Sequence, residues 1–211
     1  CLVGSEMCIR DRYTYNTRNE VFSNAQTGNV VLMSQNFMTG KWEAGLKYLF
    51  PLFAFALGVL IAEQIQHKYK YAKRLHWRQG ILGAEIIILF IVGFIPQRGN
   101  MIATVLVSFA CAMQVQSFRK VNGFSYASTM CIGNLRSGTA ALSFYLRERR
   151  PEQLRQAMYY LGIIVLFAIG AGIGGNLSAN YGIHMIWVSC GLLIVSFLLM
   201  FLDIEARRSR A

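Results

Sequence analysis

The stretch AQTGNVVL at residues 25–32 decides how this chain is organised, because a related element returns later in the sequence. The second copy is IGNL at 132–135, so that Asn29 corresponds to Asn134. Further matches follow each copy: YL at 48–49 with YL at 160–161, and FALG at 55–58 with FAIG at 167–170. Self-similarity of this kind indicates a duplicated structural unit.

The composition indicates an integral membrane protein. Of the 211 residues, 55% are hydrophobic and only 15% are charged, and the mean hydropathy is +0.39. An ordinary soluble domain carries about 25% charged residues. The formal net charge of +11 is compatible with a nucleic-acid partner. Because the basic residues cluster in loops between apolar stretches, we expect the lipid bilayer as the partner and no nucleic acid.

Residues 1–12 are considered apart from the rest of the chain. Their sequence, CLVGSEMCIRDR, resembles the conceptual translation of a sequencing adapter. We therefore predict that residues 1–12 are not native, and we leave them out of the fold prediction. Residues 13–211 are predicted to form a single integral membrane domain, with 13–99 as a truncated first repeat and 100–211 as the second.

Five apolar stretches are long enough to cross a membrane, which takes about 20 helical residues. They lie at 46–65, 80–96, 101–118, 157–175 and 183–202. By repeat logic a sixth span should precede Tyr13, so the natural bundle would have six spans arranged three plus three. An odd number of spans gives the two units opposite orientations, as in the inverted repeats of many secondary transporters. The predicted fold class is an all-α polytopic membrane helix bundle with five spans present in this chain.

The distribution of basic residues predicts the orientation. Most lysines and arginines of the loops fall at 68–78, 119–155 and 207–210, which all lie on one side of the predicted bundle. The other side carries few: Arg18, Lys41, Lys47 and Arg98. By the positive-inside rule the first side is cytoplasmic, which places the C-terminus inside. We expect a multi-pass protein of the bacterial inner (plasma) membrane.

Three segments carry a resemblance to a known family: YTY at 13–15, FSNAQTGNVVL at 22–32 and GNLRS at 133–137. With the pattern of spans, they resemble the YoaK-like family of bacterial inner-membrane proteins, a domain of unknown function. The resemblance covers residue 13 to the C-terminus, and the QTGN run is its most specific part. It implies a six-helix membrane protein and offers no catalytic residues. The chain departs from the pattern where Cys131 and Ile132 stand in place of Gln26 and Thr27.

The repeated Gly-Asn element suggests a binding site. We expect Asn29 and Asn134 to cap short helices at 30–38 and 135–146, with Gly28 and Gly133 allowing the chain to turn. Helix N-termini favour anions. If both helices enter the membrane, a small anionic or zwitterionic solute would bind Thr27, Gly28, Asn29, Gly133, Asn134 and Arg136 near the midplane. The alternative is that both helices lie flat at the interface, with Arg136 as an ordinary cytoplasmic charge.

Other polar residues within the spans are few. Glu85 is a candidate for proton coupling because charged residues inside membranes are costly; alternatively it reaches the interface or pairs with Arg78. Gln114 and Gln116 are expected to hydrogen-bond across helices, and the glycines at 170–175 to let another helix approach closely.

The leading functional prediction is a transporter or permease for a small solute. The alternative is a non-transporting membrane scaffold or sensor, and a homo-oligomer is compatible with either. Polar groups facing the bundle interior would favour the transporter, and a dry core the scaffold. We expect no enzyme, cofactor or metal, because the cysteines and histidines are isolated and no catalytic motif is present.

Overall fold

The computed structural model describes residues 2–69, 77–118, 120–121, 124–125 and 131–208. In this part of the chain the fold is all-α, as predicted. The helices are α1 (Leu2–Thr17), α2 (Gln26–Met38), α3 (Trp42–Tyr69), α4 (Trp77–Val92), α5 (Asn100–Ser117), α6 (Cys131–Glu148), α7 (Pro151–Tyr181) and α8 (Ile186–Arg208). Short 3-10 turns at Gln97–Gly99 and Gly182–Met185 precede α5 and α8, and two-residue strands, β1 (Lys120–Val121) and β2 (Phe124–Ser125), pair antiparallel.

Each predicted span coincides with a helix over most of its length, but two boundaries were wrong. α4 ends at Val92 rather than at Pro96, because Pro96 is extended, with φ −66° and ψ 167°. α7 continues to Tyr181, beyond the predicted end of its span at residue 175. Polar side chains there bond back to the preceding turn: the Ser178 hydroxyl donates to the Gly174 carbonyl at 2.5 Å, and the Asn180 amide to the Asn176 carbonyl at 3.1 Å. Gly182, with φ +55°, then ends the helix.

The helices pack in the same pattern in both halves of the chain. α5 packs on α3 and α4, while α1 packs on α7 and α8; α2 lies on α3, and α6 lies on α7. α1 and α5 run antiparallel, because Glu6 near the start of α1 bonds to Gln114 near the end of α5, and Arg18, just after α1, bonds to Asn100 at the start of α5. This pattern agrees with a duplicated unit. The opposite membrane orientation of the two units stays a prediction.

Close helix packing depends on glycine at two positions. A Cβ at Gly174 would lie 2.8 Å from the Cα of Ile9 in α1, and a Cβ at Gly58 would lie 2.5 Å from the carbonyl oxygen of Phe109 in α5. The predicted close approach at 170–175 is therefore confirmed at Gly174. Gln114 and Gln116 do bond across helices, to Glu6 and Glu63.

The outside of the bundle is apolar. Along α3 the side chains of Phe50, Phe53, Leu57 and Leu60 are all exposed and follow helical spacing. Three helical stretches of the described chain are long and apolar enough to cross a membrane: Trp42–Tyr69, Gln97–Ser117 and Pro151–Leu202, the last of which contains both α7 and α8. Exposed apolar surface of this extent suits contact with lipid. Parts of the predicted basic clusters, at 70–76, 119 and 209–211, lie outside the described residues.

Residues 2–12, which resemble a translated adapter, form most of α1. α1 occupies the place where the sequence analysis expects a further span, against α7 and α8. The non-native origin of these residues stays a prediction.

Candidate functional site

One face of α5 is polar along its first turns. Asn100, Thr104 and Ser108 recur every fourth residue, a spacing that places them on the same helix face. All three are buried. The Thr104 hydroxyl donates to the Asn100 carbonyl at 3.0 Å, and Asn100 itself contacts the end of α1. The bundle interior is therefore polar at this end.

Arg18 joins α1, α4 and α5 at the same end of the bundle. Its side chain is fully buried. Nε donates to the Tyr13 hydroxyl at 2.9 Å, Nη1 to Asn100 Oδ1 at 3.0 Å and to the Pro96 carbonyl at 3.3 Å, and Nη2 to the Val92 carbonyl at 3.2 Å. The carbonyl of Val92 is at the C-terminus of α4, where the helix dipole favours a cation.

No carboxylate in the described part of the chain forms an ion pair with Arg18. Among the described residues, the ion pairs are Arg10 with Glu6, Arg10 with Glu85, and Arg150 with Glu148. All of the hydrogen bonds from Arg18 go to neutral oxygens. A buried charge without a counter-ion is unusual, so this guanidinium leaves a positive potential at the end of the bundle.

A polar pocket of about 660 Å³ opens at this end of the bundle, with Arg18 buried behind its wall. Its walls come from the end of α1, the turn before α5 and the end of α7. The polar side chains that line it are Tyr15, Asn16, Thr17, Asn19, Glu20, Gln97, Asn100 and Ser178. The Asn100 amide donates to Asn19 Oδ1 at 2.9 Å and so connects the pocket wall to Arg18. The volume is in the range of small-molecule sites.

The rim of the pocket is strained. Asn19 and Glu20 are consecutive residues with φ of +63° and +58°, a region that residues other than glycine rarely occupy. Each such residue costs on the order of 1 kcal/mol or more. The carbonyl of Asn19 accepts a hydrogen bond from the Lys47 ammonium at 3.1 Å, which helps to hold the rim. Strain of this kind is concentrated at binding sites.

The first Gly-Asn element folds differently from the prediction. α2 begins at Gln26, four residues before the predicted start, so Asn29 lies inside the first turn and caps nothing. Its buried side chain instead binds the preceding loop: Oδ1 accepts from the Phe22 amide at 3.0 Å, and Nδ2 donates to the Phe22 carbonyl at 2.6 Å and to Gln26 Oε1 at 2.9 Å. The hydrogen-bonding capacity of Asn29 is thus used to fix the loop at 22–26.

Gly28 and Thr27 also have local explanations. Gly28 is helical, and a Cβ there would lie 3.0 Å from the ring of Phe22. That ring stacks on Tyr15, with 4.5 Å between the centroids. Gly28 is therefore needed for space, and not for the sharp turn that we predicted. Thr27 is exposed.

The second Gly-Asn element has the same position in its helix. α6 begins at Cys131, so Asn134 is also inside the first turn rather than at a cap, and it is buried. Gly133 and Arg136 are exposed. α6 lies on α7, whereas α2 lies on α3. The structure therefore does not bring the six predicted binding residues together in a single pocket, and their role in binding a solute stays a prediction.

Glu85 is fully buried and does not reach the interface. Its Oε1 accepts from Arg10 Nη1 at 2.5 Å, and Arg10 also pairs with Glu6 at 2.7 Å. The Arg78 guanidinium lies over the rings of Trp77 and Phe118, at 5.4 and 5.9 Å from their centroids. Proton coupling by Glu85 stays a prediction, because its ion-pair partner lies within the adapter-like residues.

Sequence reasoning missed Arg18, Asn100 and Ser178. The signal for Asn100 was present, since polar residues recur every fourth position along an apolar span. Arg18 could not be found this way, because its charge was counted with the loops. No group of histidine, cysteine or acidic side chains able to hold a metal ion is found among the described residues.

Residues 9–199 match the protein family described as Protein of unknown function (DUF1275). The chain is also similar to the UPF0700 transmembrane protein YoaK of Bacillus subtilis (strain 168), with 25% identity over 192 residues that cover 85% of this chain and 83% of the relative. No solved structure matches. The resemblance to the YoaK-like family is confirmed, and with the apolar helices it identifies a membrane protein. The family match spans both Gly-Asn helices and the polar pocket.

Proposed function

The chain belongs to the DUF1275 family of proteins of unknown function, and we propose that it is a non-catalytic inner-membrane permease for a small anionic or zwitterionic solute, with its C-terminus in the cytoplasm. The observation that carries the proposal is the buried Arg18 behind the wall of the polar pocket, to which it is connected through Asn100. A scaffold needs no charged group in its interior, and a permease needs polar groups that replace the water around its solute.

The charges around the pocket favour an anionic or zwitterionic solute. Arg18 supplies an unneutralised positive charge behind the wall, through Asn100. Glu20 supplies an exposed carboxylate at the rim. A zwitterion would direct its carboxylate towards Arg18 and its cationic group towards Glu20. The polar face of α5 extends from Asn100 towards the bundle centre, in the direction that a transported solute has to take.

A thermal-shift screen of the purified chain in detergent tests this proposal. The panel contains α-amino acids, small carboxylates, small cations and uncharged polyols. A ligand that binds the folded state at a hundredfold excess over its Kd stabilises by about 2.7 kcal/mol, which raises the Tm by about 5 °C or more. We expect shifts from zwitterions or anions, and uptake of the same compounds into proteoliposomes.

Matched variants locate the site. Gln97→Ala removes an exposed amide that lines the pocket, and Gln35→Ala removes an exposed amide on α2 away from it. We expect Gln97→Ala to reduce the ligand-induced shift and Gln35→Ala to retain it, with neither variant changing the Tm without ligand. A panel without any hit, or a hit that both variants retain in full, would contradict the proposal and favour the scaffold or sensor.

A further inference from the structure

The junction between α6 and α7 carries a concentration of exposed arginines. Four arginines with exposed side chains fall between residues 147 and 155: Arg147, Arg149, Arg150 and Arg155. We call this group the arginine corner. It lies at the N-terminal end of α7, whereas the polar pocket lies at the C-terminal end. A helix as long as α7 separates the two by about 45 Å.

The arginine corner has an excess of positive charge. Of its four arginines, Arg150 forms an ion pair with Glu148 at 3.1 Å, with both side chains well exposed. Exposed ion pairs of this kind contribute little to stability, so the arginine can exchange its partner for another anion. Glu152 is the other acidic residue in this segment. The guanidinium groups of the corner are therefore accessible to an anion.

Aromatic rings accompany three of these arginines. Arg147 lies over Phe144 at 5.8 Å, Arg149 over Tyr145 at 5.9 Å and Arg155 over Tyr159 at 5.8 Å, measured from the guanidinium carbon to the ring centroid. Aromatic side chains are enriched at the level of lipid headgroups, and arginine extends its apolar stem along such surfaces while its charge stays in the polar layer. The pairing of rings with guanidinium groups suits a membrane interface.

Arg149 occupies a backbone position at which glycine is usual. Its φ is +56°, and its amide donates to the Tyr145 carbonyl at 2.8 Å, which closes the C-terminus of α6. Glycine adopts this conformation without strain, and arginine does not. Arginine is therefore strained at this position, and an observed outlier of this kind is grounds for a functional hypothesis.

We propose that the arginine corner binds the phosphate headgroup of an anionic phospholipid. Guanidinium groups match phosphate oxygens in geometry and charge, and a protein that crosses a membrane has headgroups at the ends of its helices. The predicted orientation places this end on the cytoplasmic side, whose leaflet carries anionic lipid. The site does not depend on the transport function, so either proposal can fail without the other.

The position of Arg149 provides a test that does not confuse binding with folding. Arg149→Gly removes the charge and relieves the backbone strain, so its Tm in detergent without added lipid should be at least that of the unchanged chain. The control is Arg98→Gln, which removes an exposed arginine from the turn before α5, at the opposite end of the bundle. Lipid binding is measured by native mass spectrometry and by the Tm shift with phosphatidylglycerol, phosphatidylcholine and inorganic phosphate.

We expect phosphatidylglycerol to bind and to raise the Tm more than phosphatidylcholine or inorganic phosphate. Arg149→Gly should weaken the binding of phosphatidylglycerol about fivefold, and the double variant Arg147→Gln with Arg155→Gln should weaken it further. Arg98→Gln should bind as the unchanged chain does. Full binding by Arg149→Gly, equal loss in Arg98→Gln, or an equal effect of phosphatidylcholine or inorganic phosphate would overturn the proposal.

Discussion

The two Gly-Asn helices, α2 and α6, start alike and end differently. Each has a buried asparagine as its fourth residue, and each lies along the long helix that follows it. α2 has no charged residue, and exposed apolar side chains such as Val31 and Met38 cover its outer surface. α6 is longer, contains Arg136 and ends at the arginine corner.

The two helices share the buried residues that the fold requires and differ in the residues exposed at the two ends of the bundle. The buried asparagine and the packing on the next helix are common to both Gly-Asn helices, as a duplicated unit predicts. The exposed side chains differ: those of α2 are uncharged, whereas α6 carries arginine. Substitutions test this comparison, first at the buried asparagines, then at the glycines and last at exposed residues.

The largest effect is expected from Asn29→Ala. The substitution leaves the Phe22 amide and carbonyl without their partner, and each unpaired buried group costs about 1 to 3 kcal/mol. We expect the free energy of unfolding, measured by denaturant titration in detergent, to fall by about 2 to 4 kcal/mol. Asn36→Ala in the same helix is the control, because its side chain bonds only to the Leu32 carbonyl within the helix.

Asn134→Ala extends the same experiment to α6. Because Asn134 is also buried, we expect it to lower the stability as well. If Asn134→Ala had the stability of the unchanged chain, the two asparagines would not be equivalent and the comparison between α2 and α6 would fail.

A smaller effect is expected at the glycines. A Cβ at Gly28 would lie 3.0 Å from the Phe22 ring, and one at Gly138 would lie 3.1 Å from the Tyr160 Cβ. Gly28→Ala and Gly138→Ala should each lower the free energy of unfolding by about 1 kcal/mol, although alanine is the better helix former. Gly83→Ala in α4, where a Cβ meets no atom within 4 Å, should raise it. Stabilisation by all three substitutions would mean that neither helix is closely packed at its glycine.

The smallest effect on stability is expected from Thr27→Ala and Arg136→Gln. Both side chains are exposed, so the free energy of unfolding should change by less than about 0.5 kcal/mol. These variants also test the binding site predicted from the sequence. With a ligand found in the thermal-shift screen, we expect both to keep the shift that Gln97→Ala reduces. Loss of the shift in Thr27→Ala and Arg136→Gln, with Gln97→Ala unaffected, would place the solute at the Gly-Asn helices instead.

The sequence was sufficient for the features that depend on periodicity and composition. The apolar helices and the cross-helix bonds of Gln114 and Gln116 follow from spacing and from the cost of burying a polar group in lipid. It was not sufficient for Asn29, because capping and loop binding use the same side chain and the choice depends on where the helix begins. Nor could it place Arg18, since this residue donates its hydrogen bonds to oxygens of Val92, Pro96 and Asn100, far away in the chain.

The hydrogen bonds of Arg18 also have a mechanical consequence. A guanidinium group presents its donors in a rigid fork, and in this protein the fork joins the last carbonyl of α4, the first residue of α5 and Tyr13 of α1. One side chain therefore cross-links three helices at this end of the bundle. The fork does not bond to Ser178 or Gly182, which also line the pocket. We therefore expect any widening of the pocket to occur on the side of these two residues.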